Sequence, residues 1–181
     1  MTSPIQVVAR TPGDCLSTEI EDFIALVLAG GEVTPKGLED RIRQAVSLTF
    51  LTVGCCLCGV AALKRPGLKY RQRVSSHSGV GLPEHQFPYE LGWVFVMPSS
   101  RGRRFSEDLT RTALSSAGTQ GVFSTSRTDN PNMHATLAKF RFVPEGQSWA
   151  SVRSDHKLQL FLRRAAQQPA AAHGGRALAA G

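Results

Sequence analysis

The sequence predicts one α/β domain, a mixed sheet with helices packed on its faces. Two observations on pattern carry this. Strand-like and helix-like runs alternate through the second half, and two amphipathic helices and a hairpin fill the first. A third is bulk: 181 residues, 41% hydrophobic and 19% charged, suit a globular chain with one sizeable core.

Residues 18–29, TEIEDFIALVLA, read as a helix. Thr18 and Glu21 fit a capping box, Ile20, Phe23, Ile24, Val27 and Leu28 share a face, and Gly30 and Gly31 end it. A second helix is expected from Thr34, with Pro35 in its first turn and Leu38, Ile42, Ala45 and Val46 as its apolar face. LTFLTV (48–53) and GVAALK (59–64) flank GCCLCG and read as a hairpin. Residues 65–89 hold three prolines, three glycines and scattered serines, so a long ordered loop is expected there. ELGWVFV (90–96) reads as a buried strand, 105–116 as a helix and GVFSTS (121–126) as a strand. NPNMHATLAKF (130–140) reads as a helix capped by Asn130 with Pro131 next. RFVPEG and KLQLFLR (157–163) are the last strands, and 165–181 is a low-complexity tail expected to be disordered.

Charge is uneven. Residues 1–63 carry 4 basic and 7 acidic side chains, 64–151 carry 12 and 6, and 152–181 carry 5 and 1. The later two thirds therefore favour a polyanionic ligand or partner. Lys64, Arg65, Lys69, Arg71 and Arg73 form a run without an acid. Cys15, Cys55, Cys56 and Cys58 lack zinc-ligand spacing, so reduced thiols and no metal are expected. No apolar run approaches the roughly 20 residues that span a bilayer. The start MTSPIQVVARTPGD has no signal-peptide pattern, so a cytoplasmic protein with no membrane partner is expected.

VFVMPSSRGRRFSEDLTRTAL is strand, tight loop and helix, with three arginines in the loop. The first N–H groups of a helix have no intrahelical partner, and the macrodipole makes that end positive. A phosphate or pyrophosphate fits there, and arginines add charge-assisted hydrogen bonds.

Here the chain resembles the GNAT superfamily of CoA-dependent N-acetyltransferases, over roughly residues 17–163. That family's pyrophosphate loop reads Gln/Arg-x-x-Gly-x-Gly/Ala after a strand. VMPSSRGRRFS supplies Val96, Pro98 and Arg101, with Arg104 and Ser106 at the two small-residue positions. The later signature, Asn-x-x-Ala-x-x-x-Tyr-x-Lys-x-Gly-Phe, is met by Asn130, Met133, Leu137, Lys139, Arg141 and Phe142. The departures are Arg104 and Arg141 for glycine, Ser106 for a smaller residue and Leu137 for the tyrosine that protonates the leaving thiolate. A helix start takes negative φ, which arginine adopts, so at position 104 the expected issue is bulk rather than strain.

The resemblance implies a mostly antiparallel sheet splayed between two central strands, as a GNAT-like domain over 17–164 behind an N-terminal segment 1–16. It implies transfer of an acetyl group from acetyl-CoA, as cosubstrate, to a primary amine of an unidentified acceptor. Backbone of Val94, Phe95 and Val96 would face the pantetheine, and an N–H of that strand would stabilise the oxyanion. The pyrophosphate would rest on Arg101, Gly102, Arg103, Arg104, Phe105 and Ser106, and Asn130 would contact the cofactor. Glu90 is the candidate general base. Tyr89, Tyr70 or water would protonate the thiolate in place of Leu137, with His77, His85 and His134 as alternatives. Trp93 and Trp149 are core aromatics or pocket walls. The acceptor is a small molecule or a protein. Two other readings remain open: a GNAT fold that binds acyl-CoA or a partner without turnover, and an RNA-directed acetyltransferase. A dimer is compatible with either.

Overall fold

In a computed structural model, which describes residues 3–152 and 155–166, seven strands form one sheet in the order β1-β2-β3-β4-β5-β7-β6. The strands are β1 Ile5–Arg10, β2 Ser47–Val53, β3 Cys56–Lys64, β4 Tyr89–Val96, β5 Val122–Arg127, β6 Val143–Ala150 and β7 Lys157–Arg163. The helices are α1 Ser17–Ala29, α2 Leu38–Arg43, α3 Leu68–Ser78, α4 Phe105–Ser115 and α5 Pro131–Lys139. Every neighbouring pair is antiparallel except β4 and β5. This is the mixed, mostly antiparallel α/β sheet that the sequence predicts. Residues 167–181, most of the tail expected to be disordered, lie outside the described residues.

Alternation along the central strands sorts the core into two faces. On one, α1 and α2 bury Ile20, Phe23, Leu38 and Ile42 against Leu48, Phe50, Val60 and Ala62. On the other, α4 buries Leu109 and Ala113 against Leu51, Ala61, Leu63 and Leu91, and Leu137 of α5 and Phe142 join them. A third cluster under α3 combines Val74, Leu82 and Phe87 with Phe123, Leu160 and Leu162.

Four expectations about local structure are corrected. Residues 5–10, for which the sequence predicts no element, form edge strand β1 against β2. Helix α1 starts at Ser17, so the capping carboxylate is Glu19, which accepts from the Leu16 amide at 2.9 Å, and not Glu21. Helix α2 starts at Leu38 rather than Thr34, after Gly37 at φ 66°. The cysteine motif is not all hairpin tip, because Cys56 and Cys58 lie on β3; all four cysteines are free thiols.

The largest correction is α3, which stands inside the segment expected to be a loop. Its buried positions are Arg71, Val74 and Ser78, so it shows no apolar stripe. Arg71 takes the place of an apolar anchor. Its guanidinium donates to the carbonyls of Phe87 at 2.6 Å, Pro88 at 2.9 Å and Pro66 at 3.1 Å. Burial at this satisfied site pushes its pKa down from the ordinary arginine value. These bonds tie α3 to the proline-held segment just before β4.

Candidate active site

Strands β4 and β5 pair at only two positions, Tyr89 with Val122 and Glu90 with Phe123. Beyond Glu90 they part, while β4 continues to Val96 and β5 to Arg127. The backbone of Val94, Phe95 and Val96 therefore lies past the fork, on half-buried strand. A bulge shapes this stretch. Val60 pairs with Phe95 and Ala62 with Gly92, so Trp93 and Val94 together oppose Ala61. Trp93 sits at φ 53°, in the left-handed region. A bulge of this kind bends and twists its strand. The Trp93 ring packs edge-on to Phe23, with ring centroids 6.3 Å apart.

The closed end of the fork holds a polar cluster. Glu90 is only 3% exposed. Its Oε2 pairs with Lys64 Nζ at 2.9 Å, and its Oε1 accepts from the Tyr70 hydroxyl at 2.9 Å. Lys64 and Glu90 are direct partners in the β3–β4 register. Gly92 makes room for the lysine stem, since a Cβ there would stand 2.6 Å from Lys64 Cε. The ammonium also lies 4.7 Å from the Trp93 ring centre. Tyr70 comes from α3, at the helix position next to Arg71. Burial, and then the neighbouring Glu90 charge, push its pKa well above the ordinary tyrosine value, so the phenol stays protonated through the neutral range.

At the other end of β4, the turn Pro98–Ser100 leads to Arg101, Gly102, Arg103 and Arg104, all exposed, and then into α4. Arg101 Nε donates to the Val96 carbonyl at 3.2 Å. Arg103 lies over the Phe105 ring, 4.8 Å from its centre. The rest of the Phe105 side chain is buried in the core. Ser106 Oγ shares a hydrogen bond with Thr136 Oγ1 of α5 at 3.2 Å. Gly102 and Arg104 sit at φ 80° and 60°. Left-handed residues among such amides form the concave N–H cradles that hold anions.

The expectation that Arg104 takes negative φ is therefore corrected: strain is present, and Arg141 shares it at φ 65°. Left-handed backbone costs a side chain about 1–2 kcal/mol, partly offset because glycine gains more freedom in the unfolded chain. Arg104→Gly and Arg141→Gly are each expected to stabilise the fold by about 1 kcal/mol, a rise in Tm of roughly 2–4 °C. Calorimetric melting checks this; unchanged or lower Tm would mean that arginine contacts outweigh the strain.

Asn130 caps α5, with its Oδ1 accepting from the Met133 amide at 3.1 Å. Leu137 is fully buried in the core. His77 stacks on Trp149, with ring centroids 6.1 Å apart. His134 Nε2 bonds the Arg127 carbonyl at 2.8 Å, and His85 is exposed. Tyr89 lies under the Arg65 guanidinium, 5.8 Å away. The structure thus joins Glu90 to Tyr70 and brings in Lys64, which sequence reasoning left in the basic run. Two of that run's five cations, Lys64 and Arg71, turn inward.

No family model and no curated protein matches the chain. Solved structures do. Ard1 from Thermoplasma volcanium superposes with a TM-score of 0.65 at 16% identity, over 90% of this chain and 99% of that one. YncA from Salmonella typhimurium, a putative acetyltransferase solved with its cofactor acetyl-CoA, gives 0.62 at 13%, over 92% and 96%. An acyl-CoA N-acyltransferase from Pseudomonas aeruginosa gives 0.61 at 14%, over 88% and 99%. With the forked strands and the loop at the head of α4, these likenesses show that the chain has the fold of the GNAT acetyltransferases.

Proposed function

We propose that the chain transfers an acetyl group from acetyl-CoA to a primary amine. The observation that carries this is the parting of β4 from β5 beyond Glu90, with the three-arginine loop at the far end of the same strand. A solved neighbour that contains acetyl-CoA has this fold. Bound acetyl-CoA would supply the activated acyl group; the rest falls to this chain's own residues. Backbone groups of β4 past the fork offer hydrogen bonds to an extended pantetheine amide. An N–H among them is a preorganised donor for charge developing on the acyl oxygen. Arg101, Arg103 and Arg104 and the first amides of α4 would hold the pyrophosphate. The exposed side chain of Arg104 leaves the cradle open and adds a cation beside it.

Glu90 is the general base, taking the ammonium proton directly or through water. A carboxylate has about four lone-pair sites, so its two existing partners leave acceptor capacity. Lys64 and Tyr70 hold it in place. Tyr70, protonated and bonded to Glu90, is the general acid that Leu137 cannot be. A second reading, acyl-CoA binding without turnover, is favoured by one observation: both Glu90 oxygens are engaged.

The test of cofactor use is thermal melting with acetyl-CoA and with CoA. A ligand at about 100 times its Kd adds about 2.7 kcal/mol, or roughly 5–10 °C for a domain of this size. No shift at millimolar concentration would sink both readings.

A further inference from the structure

A second basic concavity lies away from the β4–α4 loop. It is a cleft of about 610 Å³ between the C-terminal half of α4, the end of α5 and the end of β7. Helix α4 has 11 residues, and at 1.5 Å each it sets the Ser115 end of the cleft roughly 16 Å along the axis from the amides at Phe105 and Ser106. Arg111, Lys139, Arg141, Arg163 and Arg164 all line it.

The carboxylates nearby do not balance these charges. Glu145 pairs with Arg164, and Glu107 pairs with Lys139 at 2.5 Å while also feeling Arg104 and Arg111. Among the described residues no carboxylate pairs with Arg111, Arg141 or Arg163. Residues 165–181 contain no Asp or Glu side chain to supply the missing charge. Arg111 lies over the Phe140 ring, 5.3 Å from its centre. Arg163 Nη1 is buried and has no hydrogen-bond partner among the described residues. A buried donor left unpaired is costly, and two like charges side by side add to the cost. Burial and the Arg141 cation both push the Arg163 pKa down. Arg141, which lines the same cleft, sits on left-handed backbone at φ 65°. Strain and an orphaned donor kept together at one cavity point to a ligand that relieves them.

We propose that this cleft binds a small molecule bearing at least two phosphoryl groups. Guanidinium forks match phosphate oxygens in pairs, and three uncompensated guanidiniums call for more than one negative charge. The cleft's volume lies within the range of roughly 300–1,000 Å³ usual for small-molecule sites. The cations line one concavity rather than a track along the surface, which favours a compact anion over a nucleic-acid strand.

The test is titration of the full chain with inorganic pyrophosphate, followed by backbone amide resonances and by calorimetry. Saturable shifts are expected at Gly118, Arg141 and Ala165. Arg163→Gln is expected to weaken this binding at least tenfold. Arg141→Gly, which removes strain and so keeps the fold, is expected to weaken it at least threefold. Arg104→Gly, in the other loop, should leave these shifts unchanged. Shifts confined to Gly102, Arg103 and Arg104, or wild-type affinity in both the Arg163 and Arg141 variants, would overturn the proposal. Because the readout sits on Gly118 and Arg141, it stands or falls separately from CoA binding at the head of α4.

Discussion

Glu90→Gln is expected to lower kcat by about 10²–10⁴-fold, the usual worth of a positioned general base, while acetyl-CoA still raises the melting temperature. The amide keeps the shape and an oxygen that accepts from the Tyr70 hydroxyl, but it cannot take up a proton. The contacts proposed for the cofactor lie elsewhere, on β4 beyond the fork and in the loop from Arg101 to Ser106, so binding should survive. Release of CoA thiol from acetyl-CoA with a pool of amines, compared between variant and parent, measures the effect. Equal rates would remove Glu90 from the chemistry. No turnover in the parent, alongside a clear melting shift, would favour binding without catalysis. Tyr70→Phe refines the assignment: a general acid predicts lost kcat with little change in KM, whereas a prop for Glu90 predicts mainly lost stability.

The elements of the proposed cofactor site are legible in the sequence, and those around the closed end of the fork are not. The β4–loop–α4 unit and the Asn130 cap of α5 announce themselves through residue types that backbone geometry demands locally. Helix α3 does not, because its buried anchor is Arg71, and an arginine satisfied by three carbonyls looks in sequence like a solvated charge. The Lys64–Glu90 pair is a direct cross-strand neighbour, but the intervening chain hides the register that makes it so. The left-handed backbone of Trp93, Arg104 and Arg141 is likewise invisible, since nothing about a large side chain signals positive φ. At Arg104 the local rule for a helix start pointed the wrong way. The tight turn into α4 overrode it, as turns with a fixed entry and exit do.

Lys64→Met is expected to destabilise the chain by about 3–5 kcal/mol, the largest stability effect foreseen here, and to lower Tm by roughly 10 °C or more. The Lys64 and Glu90 side chains are only 18% and 4% exposed, so removing the ammonium strands a carboxylate in low dielectric with one phenol for company. The double variant Lys64→Met/Glu90→Leu should regain most of that loss, because an apolar pair can replace a buried ion pair at little or no cost. It should also be inactive. Stability regained without turnover would show that packing does not require this pair, and that the carboxylate is retained for its chemistry. A Lys64→Met cost below about 1 kcal/mol would instead be the signature of a solvated pair, and Glu90 would then owe its position to Tyr70 and the β4 backbone alone.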